Sequence, residues 1–147
     1  MRASILYLSI EIWRRDIEMK VITLGEVLLR LSTAEDVRLK STKEFRVCYG
    51  GAEANVGISL AHFGHNVSVA SVLPQDNPLN DAVSSRLRMN GIDTNLVATE
   101  YGRLGTYFLE QGNAGRASRV TYDRLYSSIS VLNELCWNLD EIFKGVD

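Results

Sequence analysis

Gly50-Gly-Ala-Glu-Ala-Asn-Val-Gly-Ile-Ser-Leu-Ala-His-Phe-Gly64, running on through His65 and Asn66 into Val67-Ser-Val-Ala-Ser-Val-Leu-Pro74, decides the fold class. Val56, Leu60 and Phe63 recur at helical spacing, and Gly64 stands where a left-handed residue closes a helix, which predicts a helix over 52–63. The apolar run Val67 to Leu73 then reads as a strand. Asn77-Pro78 supplies an N-cap and a first-turn proline for a second helix, Leu79 to Met89, in which Val83 and Leu87 share a face before Gly91 stops it. Upstream, Val21 to Leu24 ends at Gly25 and suits a strand buried on both faces, with Val27 to Leu31 as its continuation. A strand, helix, strand, helix order argues for an α/β domain with a three-layer, parallel sheet.

Beyond this frame the texture changes. Val37 to Tyr49 mixes β-branched, aromatic and charged residues without helical period and reads as an exposed hairpin. Asn95 to Glu100, Gly105 to Gln111 and Arg116 to Leu125 are strand-like, and Gly112-Asn-Ala-Gly115 makes a hairpin of the last two. Polar residues interleave with Tyr107, Leu109, Val120 and Tyr122, as in a small antiparallel flap with one wet face. Leu135, Leu139 and Ile142 suggest a helix within 132–143. The apolar stretch Ala3 to Trp13 is interrupted by Glu11, is too short to span a bilayer and lacks a small-residue cleavage site, so residues 1–18 read as a leader without chemistry.

The 147 residues, 46% hydrophobic and 23% charged, suit one globular domain. A net charge of −2 offers no basic field to nucleic acid. Cys48 and Cys136 stand far apart with no Cys-x-x-Cys pair, which suggests neither a disulfide framework nor a zinc knuckle and fits the reducing cytoplasm. No membrane partner is expected.

The chemistry is sought in the glycines. Gly50 and Gly51 precede a helix whose free N–H groups could hold an anion or a hydroxyl, and whose bare backbone a ligand could approach. A plain turn is the rival reading, and the Walker pattern is absent. Asn55, one turn in, is either a ligand-reaching amide or an ordinary helical residue. His62 and His65 flank a helix C-terminus and read as dipole-facing surface residues rather than a metal pair.

Taken in order, Thr23-Leu-Gly-Glu-Val-Leu-Leu-Arg30, Gly50-Gly-Ala-Glu-Ala-Asn-Val56, Leu60-Ala-His-Phe-Gly64, Leu73-Pro74, Asn77-Pro-Leu79, Gly91-Ile-Asp93 and Gly102-Arg-Leu-Gly-Thr-Tyr-Phe-Leu-Glu110 resemble the phosphofructokinase-B, or ribokinase-like, carbohydrate kinases. Within that family they look most like the 2-keto-3-deoxygluconate kinases. The resemblance covers 19–147 and implies a Rossmann-like α/β/α domain with a β lid over the sugar, here about 37–49 and 105–125. It implies a sugar or sugar-acid substrate, ATP with Mg as phosphoryl donor, and homo-oligomer contacts through the lid. The positions of Gly50, Gly51 and Asn55 line the sugar site in the family. The chain departs from the general signature at Glu53, Gly57 and Asn80.

Arg30 stands where many neutral-sugar kinases of the family carry an aspartate. A guanidinium there could bind a substrate carboxylate by charge-assisted hydrogen bonds, or it is a surface arginine at a strand end. Tyr107 and Arg124 correspond to lid positions near the sugar, with lid packing or dimer contact as the alternative for each. The C-terminal Gly-Ala-Gly-Asp motif, whose aspartate is the family's base, does not occur in the chain, which therefore reads as the N-terminal, substrate-side part of a truncated ribokinase-like kinase, inactive alone. A non-catalytic module that binds a sugar acid or associates through its lid is the alternative.

Overall fold

The computed structural model describes residues 18–113 and 115–146. The leader expected over 1–18 lies outside the described residues except for Glu18. Along the chain come β1 (Lys20–Leu24), β2 (Leu28–Ser32), a 3-10 turn (Leu39–Ser41), β3 (Arg46–Gly50), α1 (Ala52–His62), β4 (Asn66–Pro74), α2 (Asn80–Met89), β5 (Ile92–Asp93), β6 (Val97–Glu100), β7 (Thr106–Glu110), β8 (Arg119–Asp123) and α3 (Leu139–Ile142).

Two sheets divide these strands. The first is parallel, with β4 between β1 and β5, and β6 pairing further along β4. β4 is buried from Val67 to Pro74. β1, expected to be buried on both faces, is only half-buried, and Leu24 is exposed. The reason is position: among the described residues β1 pairs with β4 alone. Helices α1 and α2 cover the sheet, and Val27, Ala54, Val67, Val69, Leu73, Val83, Leu87, Ile92 and Leu104 close the core between them. Val83 and Leu87 are 0% and 2% exposed, each contributing about 1.5–3 kcal/mol of burial.

The second sheet has the order β3-β2-β7-β8 and is the lid. Its centre corrects two expectations. Val27 to Leu31 does not continue β1: Gly25 and Glu26 break the strand, and β2 crosses into the lid, antiparallel to β3 and parallel to β7. The hairpin expected within 37–49 is accordingly absent, because β3 pairs with β2 rather than with its own neighbours. The β7–β8 hairpin forms as read, Thr106 facing Asp123 and Glu110 facing Arg119.

Helix α1 forms where expected and closes at Gly64, with φ +95°, but it turns a different face inward. Ala54 and Gly57 are buried, whereas Val56 and Phe63 are 55% and 80% exposed. Small residues face the sheet because the helix lies so close to it: a Cβ on Gly57 would stand 3.2 Å from Thr23 Oγ1 and 3.3 Å from Val67 Cγ1. In the turn before α2 the Leu79 N–H donates to Asn77 Oδ1 at 2.9 Å, but the N-cap of the helix is Leu79 rather than the expected Asn77, and no side chain caps it. Asn80 Nδ2 donates to the Pro74 carbonyl at 2.7 Å, which ties α2 to the end of β4. The helix expected over 132–143 shrinks to α3, capped by Asn138 accepting from the Asp140 N–H. Leu135 is exposed, so a longer helix would gain little burial there.

Candidate functional site

The lid register sets up one row of side chains. Cys48 and Tyr107 are the two cross-strand neighbours of Arg30, and Tyr122 is the next neighbour of Tyr107. Directly paired residues share a sheet face, so the four form a ladder across β3, β2, β7 and β8. The Tyr107 and Tyr122 ring centroids are 5.7 Å apart. A hydrogen bond to the Cys48 side chain, outweighing the opposing effect of burial, raises the Arg30 pKa above its ordinary value, and Tyr107 adds to it. The Arg30 Nε is buried without a hydrogen-bond partner.

Beside this ladder opens a cavity of about 350 Å³ lined by Arg30, Val47, Cys48, Tyr49, Gly50, Asn55, Arg86 and Tyr107. Residues bearing two guanidinium groups, two phenols, an amide and a thiol line it, with no carboxylate. Such a lining suits a small, hydroxyl-bearing anion. Four residues singled out from the sequence, Arg30, Gly50, Asn55 and Tyr107, thus meet in one place. Cys48 and Arg86 join them without a signal in the local sequence, since one arrives by strand register and the other from α2.

Gly50 and Gly51 prove to have different jobs. A Cβ on Gly50 would stand 3.1 Å from Asn55 Oδ1, so the amide lies over the bare backbone at the cavity wall. Gly51 does not line the cavity. A Cβ there would come 2.1 Å from the Glu26 carbonyl oxygen, and its φ of −171° is ordinary extended backbone. Close approach of α1 to the β1–β2 connection requires this glycine.

Arg124 also lies elsewhere. Its Nε and Nη2 each stand 2.6 Å from Glu26 Oε2, and its guanidinium sits 5.9 Å from the Tyr122 ring centroid. The Glu26 side chain is 6% exposed, and its Oε1 lies buried without a partner, where a Cβ on Gly105 would come within 2.1 Å. Glu26 escaped the sequence reading. Its signal was a lone acid between two apolar runs.

Among the described residues no group of three or more His, Cys, Asp or Glu could hold a metal ion. With no carboxylate in its lining, the cavity itself does not fit Mg²⁺. His65 accepts, through Nδ1, from the Met19 N–H at 3.4 Å. Within the same residues no helix is long and apolar enough to cross a membrane.

The profile of the pfkB family carbohydrate kinases matches residues 18–140. The 2-dehydro-3-deoxygalactonokinase of Haloferax volcanii is 32% identical over 111 residues, covering 76% of this chain and 35% of its own. The crystal structure of the 2-dehydro-3-deoxygluconokinase of Thermotoga maritima superposes with a TM-score of 0.82 at 43% identity, over 88% of this chain and 39% of the other. A PfkB family carbohydrate kinase of Listeria grayi superposes with a TM-score of 0.79 at 41% identity, over 86% and 39%. The chain thus spans 35% to 39% of the length of these three relatives.

Proposed function

The chain belongs to the pfkB family of carbohydrate kinases, and from that premise we propose that its cavity binds a 2-keto-3-deoxy sugar acid, 2-keto-3-deoxygluconate first among them, for phosphorylation of a sugar hydroxyl in the cytoplasm. Arg30 holds the carboxylate. Gly50, Asn55 and Tyr107 meet the sugar hydroxyls, and Arg124, held by Glu26, braces the lid beside Tyr122. The observation that carries this reading is the lining itself, in which Arg30 faces the cavity and no acid repels an anion. The names of two relatives share the same substrate chemistry. ATP with Mg is the proposed donor, bound outside this cavity. Calorimetric titration tests the reading: the acid should bind saturably, and a neutral analogue with hydroxymethyl in place of the carboxylate should bind more weakly. Equal affinities would contradict it.

The lid is also the proposed contact between copies of the chain, because it leaves Phe45, Val47, Val120 and Tyr122 exposed. Sedimentation velocity should show dimers or larger species at micromolar concentration. A sharp, monodisperse monomer would count against association.

A further inference from the structure

We propose that Arg86 gives this cavity a second anion contact, so that sugar-derived ligands carrying two separated anionic groups bind it more tightly than the monoanionic acid it takes as substrate. The proposal rests on the reading of the cavity as a sugar-acid site and goes beyond it, since one carboxylate needs only one guanidinium.

Arg86 reaches the cavity from α2, whereas Arg30 reaches it from the lid. Its place is fixed by its neighbours. Val83 and Leu87 are buried and hold that stretch of α2 against the core, and Asn90 Nδ2 donates to the Arg86 carbonyl at 2.8 Å. The other arginine of this turn, Arg88, is occupied with Thr94 Oγ1 and Ser85 Oγ at 3.3 and 3.5 Å. No hydrogen bond or ion pair holds the Arg86 guanidinium among the described residues, and no carboxylate lines the cavity to offset it.

Two like charges at one small cavity repel each other. A ligand with one anionic group answers Arg30 and leaves Arg86 uncompensated. A ligand with an anionic group at each end answers both, and in doing so bridges the lid to α2. Two kinds of compound share that chemistry: a sugar dicarboxylate, and a sugar acid phosphorylated at its far end.

Equilibrium dialysis of the full chain against gluconate, galactarate and 6-phosphogluconate tests the idea and separates the two sources. At least one dianion should bind about tenfold more tightly than gluconate, the scale of one charged hydrogen bond. Whichever of galactarate and 6-phosphogluconate holds that margin names the source. Arg86→Gln should abolish the margin by costing the dianions more than gluconate, whereas Arg30→Ala should weaken all three ligands. Because Arg86 is exposed, the variant should keep the wild-type circular dichroism. Gluconate binding without a dianion margin, or equal losses for all three ligands in Arg86→Gln, would overturn the role of Arg86 alone. Failure of all three to bind would instead bring down the sugar-acid reading and this inference with it.

Discussion

Mixed with ATP, Mg²⁺ and 2-keto-3-deoxygluconate, the 147-residue chain should show no turnover above a no-enzyme control. Phosphoryl transfer to a hydroxyl needs a base to take the proton and fixed donors to stabilise charge on the transferring group. A positioned base is worth about 10²- to 10⁴-fold, and one preorganised donor about 10²- to 10³-fold. The chain contains no Gly-Ala-Gly-Asp sequence, and the candidate cavity has no carboxylate in its lining. Arginine, tyrosine, asparagine and cysteine can bind and orient a sugar acid there, but at neutral pH none is placed as a carboxylate base. A coupled ADP assay on a preparation free of host kinases measures this. Turnover that follows the purified chain through two separation steps would refute it.

Gly51→Val should cost the fold itself. The new Cβ would lie 2.1 Å from the Glu26 carbonyl oxygen, and a backbone atom cannot rotate away as a side chain does. The expected loss is at or above the top of the about 1–3 kcal/mol typical of overpacking, a large share of the about 5–15 kcal/mol that holds a domain together. Gly50→Ala is the matched control. Its Cβ would meet only the Asn55 amide, at 3.1 Å, so that variant should melt almost as the wild type does while binding ligand less well. Thermal unfolding by circular dichroism distinguishes the two. A Gly51→Val protein that melted cooperatively at the wild-type temperature would show that α1 does not need its close approach to the β1–β2 connection.

What the sequence revealed follows from how local each signal was. Helices α1 and α2, strand β4 and the β7–β8 hairpin announce themselves through spacing, caps and turn residues that lie within a few positions of each other. Strand β2 did not, because its apolar run looks like the end of β1 and only tertiary pairing with β3 and β7 sends it into the lid. The buried face of α1 was misjudged for a related reason. Hydrophobic periodicity favours Val56 and Phe63, whereas close packing on the sheet selects Ala54 and Gly57, whose small size carries little weight on a hydrophobicity scale. At the site, Arg30, Gly50, Asn55 and Tyr107 were legible as residue types near strand ends and a helix start. The contacts of Cys48, Arg86 and Glu26 depend on register and helix rotation, which spacing alone does not encode.

The central claim is that Arg30 recognises a substrate carboxylate. Calorimetric titration of 2-keto-3-deoxygluconate and of its neutral analogue into the wild-type chain and Arg30→Ala tests it most directly. Loss of the guanidinium should weaken the acid by about 1.5–3 kcal/mol, roughly ten- to 150-fold in Kd, and leave the neutral analogue nearly unchanged. Equal weakening of both ligands, or none of either, would contradict the claim and leave Arg30 as a structural partner of Cys48 and Tyr107.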